Sequence, residues 1–250
     1  MKKIGFLLIV IALSSCFKKK FAGPNSYEDN FENVATFDAL FSTNDGWNHS
    51  QITKSNSHIS VIDTFAHTGL QCLQFNAEIS TDELLSKCSL VKQKMAFYEG
   101  ETVRADAWYY IQGSENLDWL FLMDIEEQAT IGAGPGLRIA VVNNQLVLNS
   151  KYLADNTFQP EGNGIEIPRN EWFKLTLEIK LDQRKKGWAK VYQNDQLVIE
   201  RTNFRSLPRD RIYNIQGTKG MYTSIEIGAT ANSYNNAVKL FIDDFSIKTL

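Results

Sequence analysis

The chain of 250 residues has only three histidines and three cysteines, and helical periodicity is scarce along it. The histidines, at positions 49, 58 and 67, do not have the spacing of a metal-binding motif. Beyond residues 1–15, no apolar run is long enough for a transmembrane helix. The formal net charge is −3, which argues against nucleic acid as a partner because such binding needs a concentrated basic surface.

The N-terminal residues have the pattern of an export signal. Lys2 and Lys3 precede the apolar run Ile4 to Leu13, which is too short to span a bilayer as a mature helix. The segment ends in Leu-Ser-Ser-Cys, with the cysteine at position 16. This ending resembles the lipobox of bacterial lipoprotein signals, which implies cleavage before Cys16 and its lipidation. A plain secretory signal without a lipid is the alternative.

The signal divides the chain into three parts. Residues 1–15 are the removed signal peptide, residues 16–29 a lipidated tether, and residues 30–250 one domain outside the cytoplasm. The tether lacks hydrophobic periodicity and carries three consecutive lysines, which favour contact with lipid head groups; a merely solvated linker is the alternative. We therefore expect a membrane partner through the lipid anchor and a location in the cell envelope, at the outer membrane.

Because Cys16 is assigned to the lipid, Cys72 and Cys88 are the two remaining cysteines. Outside the cytoplasm they would lie in an oxidising compartment, where disulfides persist. The residues between them have the pattern of two short strands around a polar turn at residues 80–82. Antiparallel pairing centred on that turn places Cys72 opposite Cys88, close enough to be bridged. We predict a disulfide, with two free buried thiols as the alternative.

Alternation of apolar and polar residues dominates from residue 58 onward. In residues 172–181 every second side chain is apolar, the pattern of a half-buried strand. Further strands are predicted at residues 59–62, 70–77, 103–111, 119–126, 136–142, 145–148, 187–193, 196–201, 224–230 and 237–248. Many short antiparallel strands separated by turn signals predict an all-β fold of two stacked sheets.

Several short motifs follow one another in an order that resembles concanavalin-like jelly-roll domains. They are Phe31-Glu32, AHTGL at 66–70, IPRNEWF at 167–173, GWAKVYQND at 187–195, IEIG at 225–228 and LFIDDFSI at 240–247. The resemblance covers residues 30–250 and is strongest to the branch near heparin-lyase-like polysaccharide lyases and carbohydrate-binding modules. It implies a two-sheet antiparallel jelly-roll sandwich that often holds a glycan on its concave face, but it does not imply catalysis.

The same resemblance implies a structural calcium ion. Related binding modules often hold calcium with acids from the first and last strands, where this chain has Glu32, Asp243 and Asp244. Calcium requires six to eight oxygen ligands, which carboxylates and backbone carbonyls supply. These three acids are therefore the predicted metal ligands.

A glycan-binding surface is predicted from alternation in residues 103–111. Arg104, Trp108 and Tyr110 fall on one face of this strand, opposite an apolar face. Sugar rings stack their C–H faces on aromatic side chains, while a charged neighbour satisfies hydroxyl groups. These three residues are the predicted ligand-binding site, and the alternative is that Trp108 packs under a loop.

The set of catalytic carboxylates that a laminarinase-type glycoside hydrolase needs is incomplete in this chain. Laminarinase-type hydrolases share this broad fold and carry Glu-x-Asp-x-Glu on one strand, whereas the matching positions here are Leu122, Asp124 and Glu126. Without the first carboxylate the retaining mechanism lacks its partner pair. We interpret the two remaining acids as solvated groups at a strand end.

A polysaccharide lyase acting on a uronate polymer must neutralise a carboxylate, remove the adjacent proton and protonate the leaving oxygen. The residues with suitable chemistry are Arg104, Arg138, Tyr110 and Tyr192, but no strand signature groups them. The sequence therefore favours a membrane-anchored glycan-binding or accessory lipoprotein without catalysis. A polysaccharide lyase and a structural envelope lipoprotein are the alternatives.

Overall fold

The computed structural model describes residues 22–127, 134, 136–151, 164–208 and 220–250, so Cys16 and its signal lie outside the described residues. The described chain has a short 3-10 helix at Phe37–Phe41 and the following strands. They are β1 (Ser26–Asp29), β2 (His49–Ile52), β3 (His58–Ile62), β4 (Cys72–Ala77), β5 (Ser86–Lys92), β6 (Phe97–Tyr98), β7 (Thr102–Ile111), β8 (Trp119–Glu126), β9 (Gly136–Val142), β10 (Gln145–Lys151), β11 (Trp172–Lys180), β12 (Gly187–Gln193), β13 (Gln196–Phe204), β14 (Met221–Tyr222), β15 (Ser224–Asn232) and β16 (Val238–Thr249). Within this part of the chain, no helix has the length and hydrophobicity needed to cross a membrane.

These strands form two large antiparallel sheets. The eight-stranded sheet has the order β13-β12-β11-β7-β16-β4-β3, and β1 also pairs with β16. The six-stranded sheet has the order β10-β9-β8-β15-β5-β2, and β6 and β14 form a separate pair. The predicted all-β sandwich of two antiparallel sheets is confirmed.

The core lies between the apolar faces of the two sheets. On β11, Phe173, Leu175 and Leu177 are buried, while the alternate side chains face outward as the sequence pattern predicts. Burial of each such side chain stabilises the fold by about 1.5–3 kcal/mol. The buried Tyr109 of β7 reaches across the gap, where its hydroxyl donates to the carbonyl of Leu122 on β8 at 3.1 Å. The interior thus sets which side chains of each strand reach an outer face.

The structure does not contain the predicted disulfide between Cys72 and Cys88, which are both free and buried. Cys72 lies on β4 of the eight-stranded sheet, whereas Cys88 lies on β5 of the six-stranded sheet. The predicted hairpin is wrong because the chain crosses from one sheet to the other after a turn at Thr81–Leu84. The alternative of two free thiols agrees with this structure.

We expect both thiols to react with an alkylating reagent when the protein is unfolded without reductant. In the folded protein they should react slowly, because burial raises the pKa of each thiol to about 12 and the thiolate is the reactive form. Mass spectrometry of protein made through the secretory route measures both states. Labelling of Cys72 and Cys88 that requires prior reduction would contradict the structure.

Candidate active site

The outer face of the six-stranded sheet is lined with polar side chains that are largely removed from solvent. All nine residues of β15 are buried, including those that point away from the core. Glu226 is 2% exposed and Asp124 is 3% exposed. Buried charges are costly unless they are paired or hydrogen-bonded, so this face is an unusual surface for a sandwich.

Strand register brings residues distant in sequence together on this face. In the strand register, Arg138 of β9 lies opposite Asp124 of β8, and Asp124 lies opposite Glu226 of β15. Val91 of β5 lies between Glu226 and His49 of β2. We use the name charged face for the outward set His49, Gln51, Lys87, Ser89, Asp124, Glu126, Arg138, Lys151 and Glu226.

One end of the charged face is built around Arg138. Its guanidinium donates to Asp124 at 2.9 Å and lies 4.1 Å above the ring of Phe121. Lys151 forms an ion pair with Glu126 and lies 3.7 Å from Asp124. These contacts stabilise two acids that would otherwise carry a large desolvation penalty.

The other end is built around Lys87. Its ammonium donates to the side-chain oxygen of Gln51 at 2.8 Å and lies 3.7 Å from a carboxylate oxygen of Glu226. The hydroxyl of Ser89 also donates to Glu226. His49 shares this face with Gln51, two residues away on β2, and is half-buried.

The electrostatics of this end favour a neutral imidazole beside a positive charge. Burial lowers the pKa of His49, and the charge of Lys87 lowers it further. Burial raises the pKa of Glu226 to about 7, with Asp124 and Glu126 adding to the rise and Lys87 and Ser89 opposing it. A neutral imidazole accepts a proton, and an adjacent ammonium attracts a carboxylate. The pair is therefore suited to removing a proton next to an anionic group.

A family model described as polysaccharide lyase matches residues 40–246. The chain belongs to this polysaccharide lyase family. The match includes every residue of the charged face. The expectation of a glycan-binding protein without catalysis is therefore wrong, because the family is one of lyases and the alternative lyase interpretation is better supported.

Solved structures of lyases share the fold. The chain is similar to an endo-β-1,4-glucuronan lyase from the fungus Trichoderma reesei, with a TM-score of 0.66, 15% identity, and coverage of 82% of this chain and 92% of that one. The alginate lyase Aly36B gives a TM-score of 0.59 at 12% identity, covering 91% and 98%. The alginate lyase vAL-1 from Chlorella virus gives 0.54 at 12% identity, covering 87% and 99%. These similarities confirm the jelly-roll fold, while a comparison with curated proteins found no match.

The glycan-binding residues predicted for this lyase-family chain lie on the other sheet, and neighbouring side chains already contact them. Arg104 donates to Asp106 at 2.8 Å and to Glu178 at 3.0 Å. Trp108 is stacked on the ring of His67 with 3.7 Å between ring centroids. Alternation correctly placed the set on an outer face, but it could not show these contacts.

Tyr110 is likewise packed within its own sheet face. Its ring lies 4.8 Å from that of Phe65 and 5.7 Å from that of Trp172, measured between centroids. The loop that carries Phe65 and His67 thus contacts both aromatic residues of the surface predicted to bind a glycan. Glycan binding by this face stays a prediction.

The acids predicted to hold calcium fit that ion poorly. Asp243 accepts backbone N–H groups of His67, Thr68 and Asp244 at 2.8–3.1 Å. Glu32 accepts those of residues 70 and 71, and the side chain of Asp244 accepts from Thr68. Asp243 and Asp244 lie close to His67, but this donor set lacks the oxygen ligands that calcium requires. Calcium stays a prediction, and the acids themselves fix the loop that precedes β4.

Of the four residues proposed for a lyase by residue type, Arg138 lies on the charged face. Arg104, Tyr110 and Tyr192 are on the eight-stranded sheet. The interpretation of Asp124 and Glu126 as solvated acids is wrong, because Asp124 is buried against Arg138 and Glu126 is paired with Lys151.

Sequence reasoning missed the other end of the charged face. His49 and Gln51 alternate on β2, and Lys87 and Ser89 alternate on β5. This spacing is a local signal that both residues of each pair face one side of a strand. The pairing of β2 with β5 brings these four residues together into a site. No local sequence pattern indicates that the two strands pair.

Proposed function

We propose that this chain is a polysaccharide lyase that cleaves a uronate-containing polymer by β-elimination on the charged face. The observation that carries the proposal is a half-buried His49, whose pKa is lowered, on the same face as Lys87. Elimination needs a base that is unprotonated near physiological pH and a cation that stabilises the charge developing on the uronate carboxylate. This end of the face supplies both.

In the proposed reaction, Lys87 binds the uronate carboxylate and Gln51 orients the ammonium. His49 removes the proton from the carbon that bears the carboxylate. The electron pair of that C–H bond forms the new carbon–carbon double bond, and the bond from the ring to the bridging oxygen breaks. The proton on His49 then passes to the leaving oxygen, so no water is consumed.

Arg138 supplies a second cation for the same polymer. It lies three strands from β5, a distance of about 14 Å at the usual strand spacing. A polyuronate carries a carboxylate on each uronate unit, so a chain bound across the strands presents anions to both cations. Arg138 would thus contribute affinity and alignment for a polymer.

The lipid anchor proposed at Cys16 would hold this activity in the cell envelope. The residues between Cys16 and β1 would form the tether between the lipid and the domain. This tether is shorter than the predicted residues 16–29, because Ser26–Asp29 pair with β16 as part of the eight-stranded sheet. Such a location suits a polymer too large to enter the cell, since the first cleavage must then occur outside the cytoplasm.

The direct test is incubation of the purified protein with glucuronan, with alginate and with the carboxyl-reduced form of glucuronan. We expect at least one uronate polymer to give products with an unsaturated terminal sugar, detected by ultraviolet absorbance and by mass spectrometry. The carboxyl-reduced polymer should give none, because its C–H group is not acidified. Products carrying added water, or no unsaturated product from either uronate polymer, would contradict the proposal.

A further inference from the structure

Three aromatic side chains lie beyond the charged face. We use the name aromatic platform for Trp119 and Phe121 of β8 together with Tyr234, which follows β15. The ring centroid of Trp119 lies 5.2 Å from that of Phe121 and 5.9 Å from that of Tyr234. Tyr234 is 48% exposed, so this edge of the platform is open to solvent.

The platform belongs to the same surface as the charged face. A register irregularity between Phe121 and Met123 places Leu122 and Met123 both in the core. Trp119 and Phe121 therefore point outward on the side of Asp124. Arg138 joins the two regions, since its guanidinium contacts both the Phe121 ring and Asp124.

The neighbours of the platform leave room for a ligand. Ala140 lies beside Phe121 and Val142 lies beside Trp119, so the adjoining strand offers short side chains. Among the residues that the structure describes, no ring lies parallel on the indole of Trp119, whose aromatic contacts are tilted or edge-on. Trp108 on the opposite sheet differs, since His67 is stacked on it.

We propose that the aromatic platform is a sugar-binding subsite for the polysaccharide cleaved on the charged face. The inference rests on the proposed function and specifies its substrate as a chain long enough to reach both regions. Asp124 lies in the same cross-strand row as Glu226 and His49. Trp119 lies five residues along β8 from Asp124, about 16 Å at the usual rise per residue. Several sugar units span that distance, so the platform holds units remote from the bond that breaks.

The test compares Trp119→Ala with wild type on long glucuronan or alginate, whichever is cleaved, and on the shortest oligosaccharide of that polymer that is cleaved. We expect KM for the long polymer to rise about tenfold, which corresponds to the loss of one aromatic contact of about 1.4 kcal/mol. The kcat on the polymer and both constants for the short oligosaccharide should stay within twofold. Trp119→Phe should recover much of the affinity.

Trp188→Ala is the matched control, because Trp188 lies on β12 of the opposite sheet under the ammonium of Lys190. Tyr234→Ala is the second variant, because the exposed side chain of Tyr234 contributes little to the stability of the fold. An unchanged KM for long polymer in both platform variants would overturn the inference, as would an equal loss of activity on long and short substrates.

Affinity electrophoresis in gels containing each uronate polymer separates this inference from the proposed function. It measures binding without turnover, so a wild type that is retarded but inactive would refute the lyase proposal alone. Retardation of wild type that is reduced in Trp119→Ala would then still support the platform. A gel in which both proteins migrate alike would overturn the inference.

Discussion

Replacing His49 with Ala is expected to lower kcat on a uronate polymer by about 10²–10⁴-fold, the range that a general base contributes. His49 is the group on the charged face whose pKa is lowered by burial and by the charge of Lys87, so it is unprotonated near neutral pH. Without it, the proton next to the carboxylate has no positioned acceptor. Initial rates from ultraviolet absorbance measure the loss.

His58→Ala is the matched control for this substitution. His58 lies on β3 of the other sheet, is exposed, and contacts the side chain of Asn76. Its loss should change the rate by less than twofold.

In wild type, kcat/KM should fall as pH falls through the pKa of His49, because the imidazolium cannot accept a proton. If the His49→Ala variant keeps the wild-type rate and the same fall of kcat/KM at low pH, the acidic limb of the profile, the proposed role of His49 is refuted.

The sandwich itself was within reach of the sequence because strand signals are local. Alternation in residues 172–181 predicted β11, and the predicted bounds of Trp119–Glu126 and Gly136–Val142 match β8 and β9. Each signal depends only on which side chains within one strand face the core. Such patterns also placed Arg104, Trp108 and Tyr110 correctly on one outer face.

The charged face could not be predicted from the sequence, because it depends on which strands are neighbours in the sheet. His49 and Arg138 lie on one face only because β2, β5, β15, β8 and β9 are neighbours in the sheet, although these strands come from distant parts of the sequence. The error over Cys72 and Cys88 has the same origin, since a local hairpin was assumed where the chain changes sheets. Alternation of apolar and polar residues also gives the same pattern for the outer faces of both sheets. It therefore could not show that the polar side chains of the six-stranded sheet are the ones largely removed from solvent.

Replacing Lys87 with Ala is expected to lower kcat/KM by about 10²–10³-fold, the usual cost of removing one group that stabilises charge in a transition state. The charge on the uronate carboxylate increases as the proton leaves, and the Lys87 ammonium is the cation held beside Gln51 and Glu226 for it. Lys190→Ala on the opposite sheet, where Lys190 pairs with Glu200 at 3.4 Å, should have little effect.

A pH profile distinguishes this electrostatic role of Lys87 from a structural one. The charge of Lys87 lowers the pKa of His49, so its removal should raise that pKa and move the acidic limb of kcat/KM to higher pH. Lys87→Arg keeps the charge and should leave the limb close to its wild-type position, even if the different geometry lowers the rate. A limb that stays in place in Lys87→Ala, despite the lost activity, would mean that Lys87 does not act on His49 and that the proposed pair of base and cation is wrong.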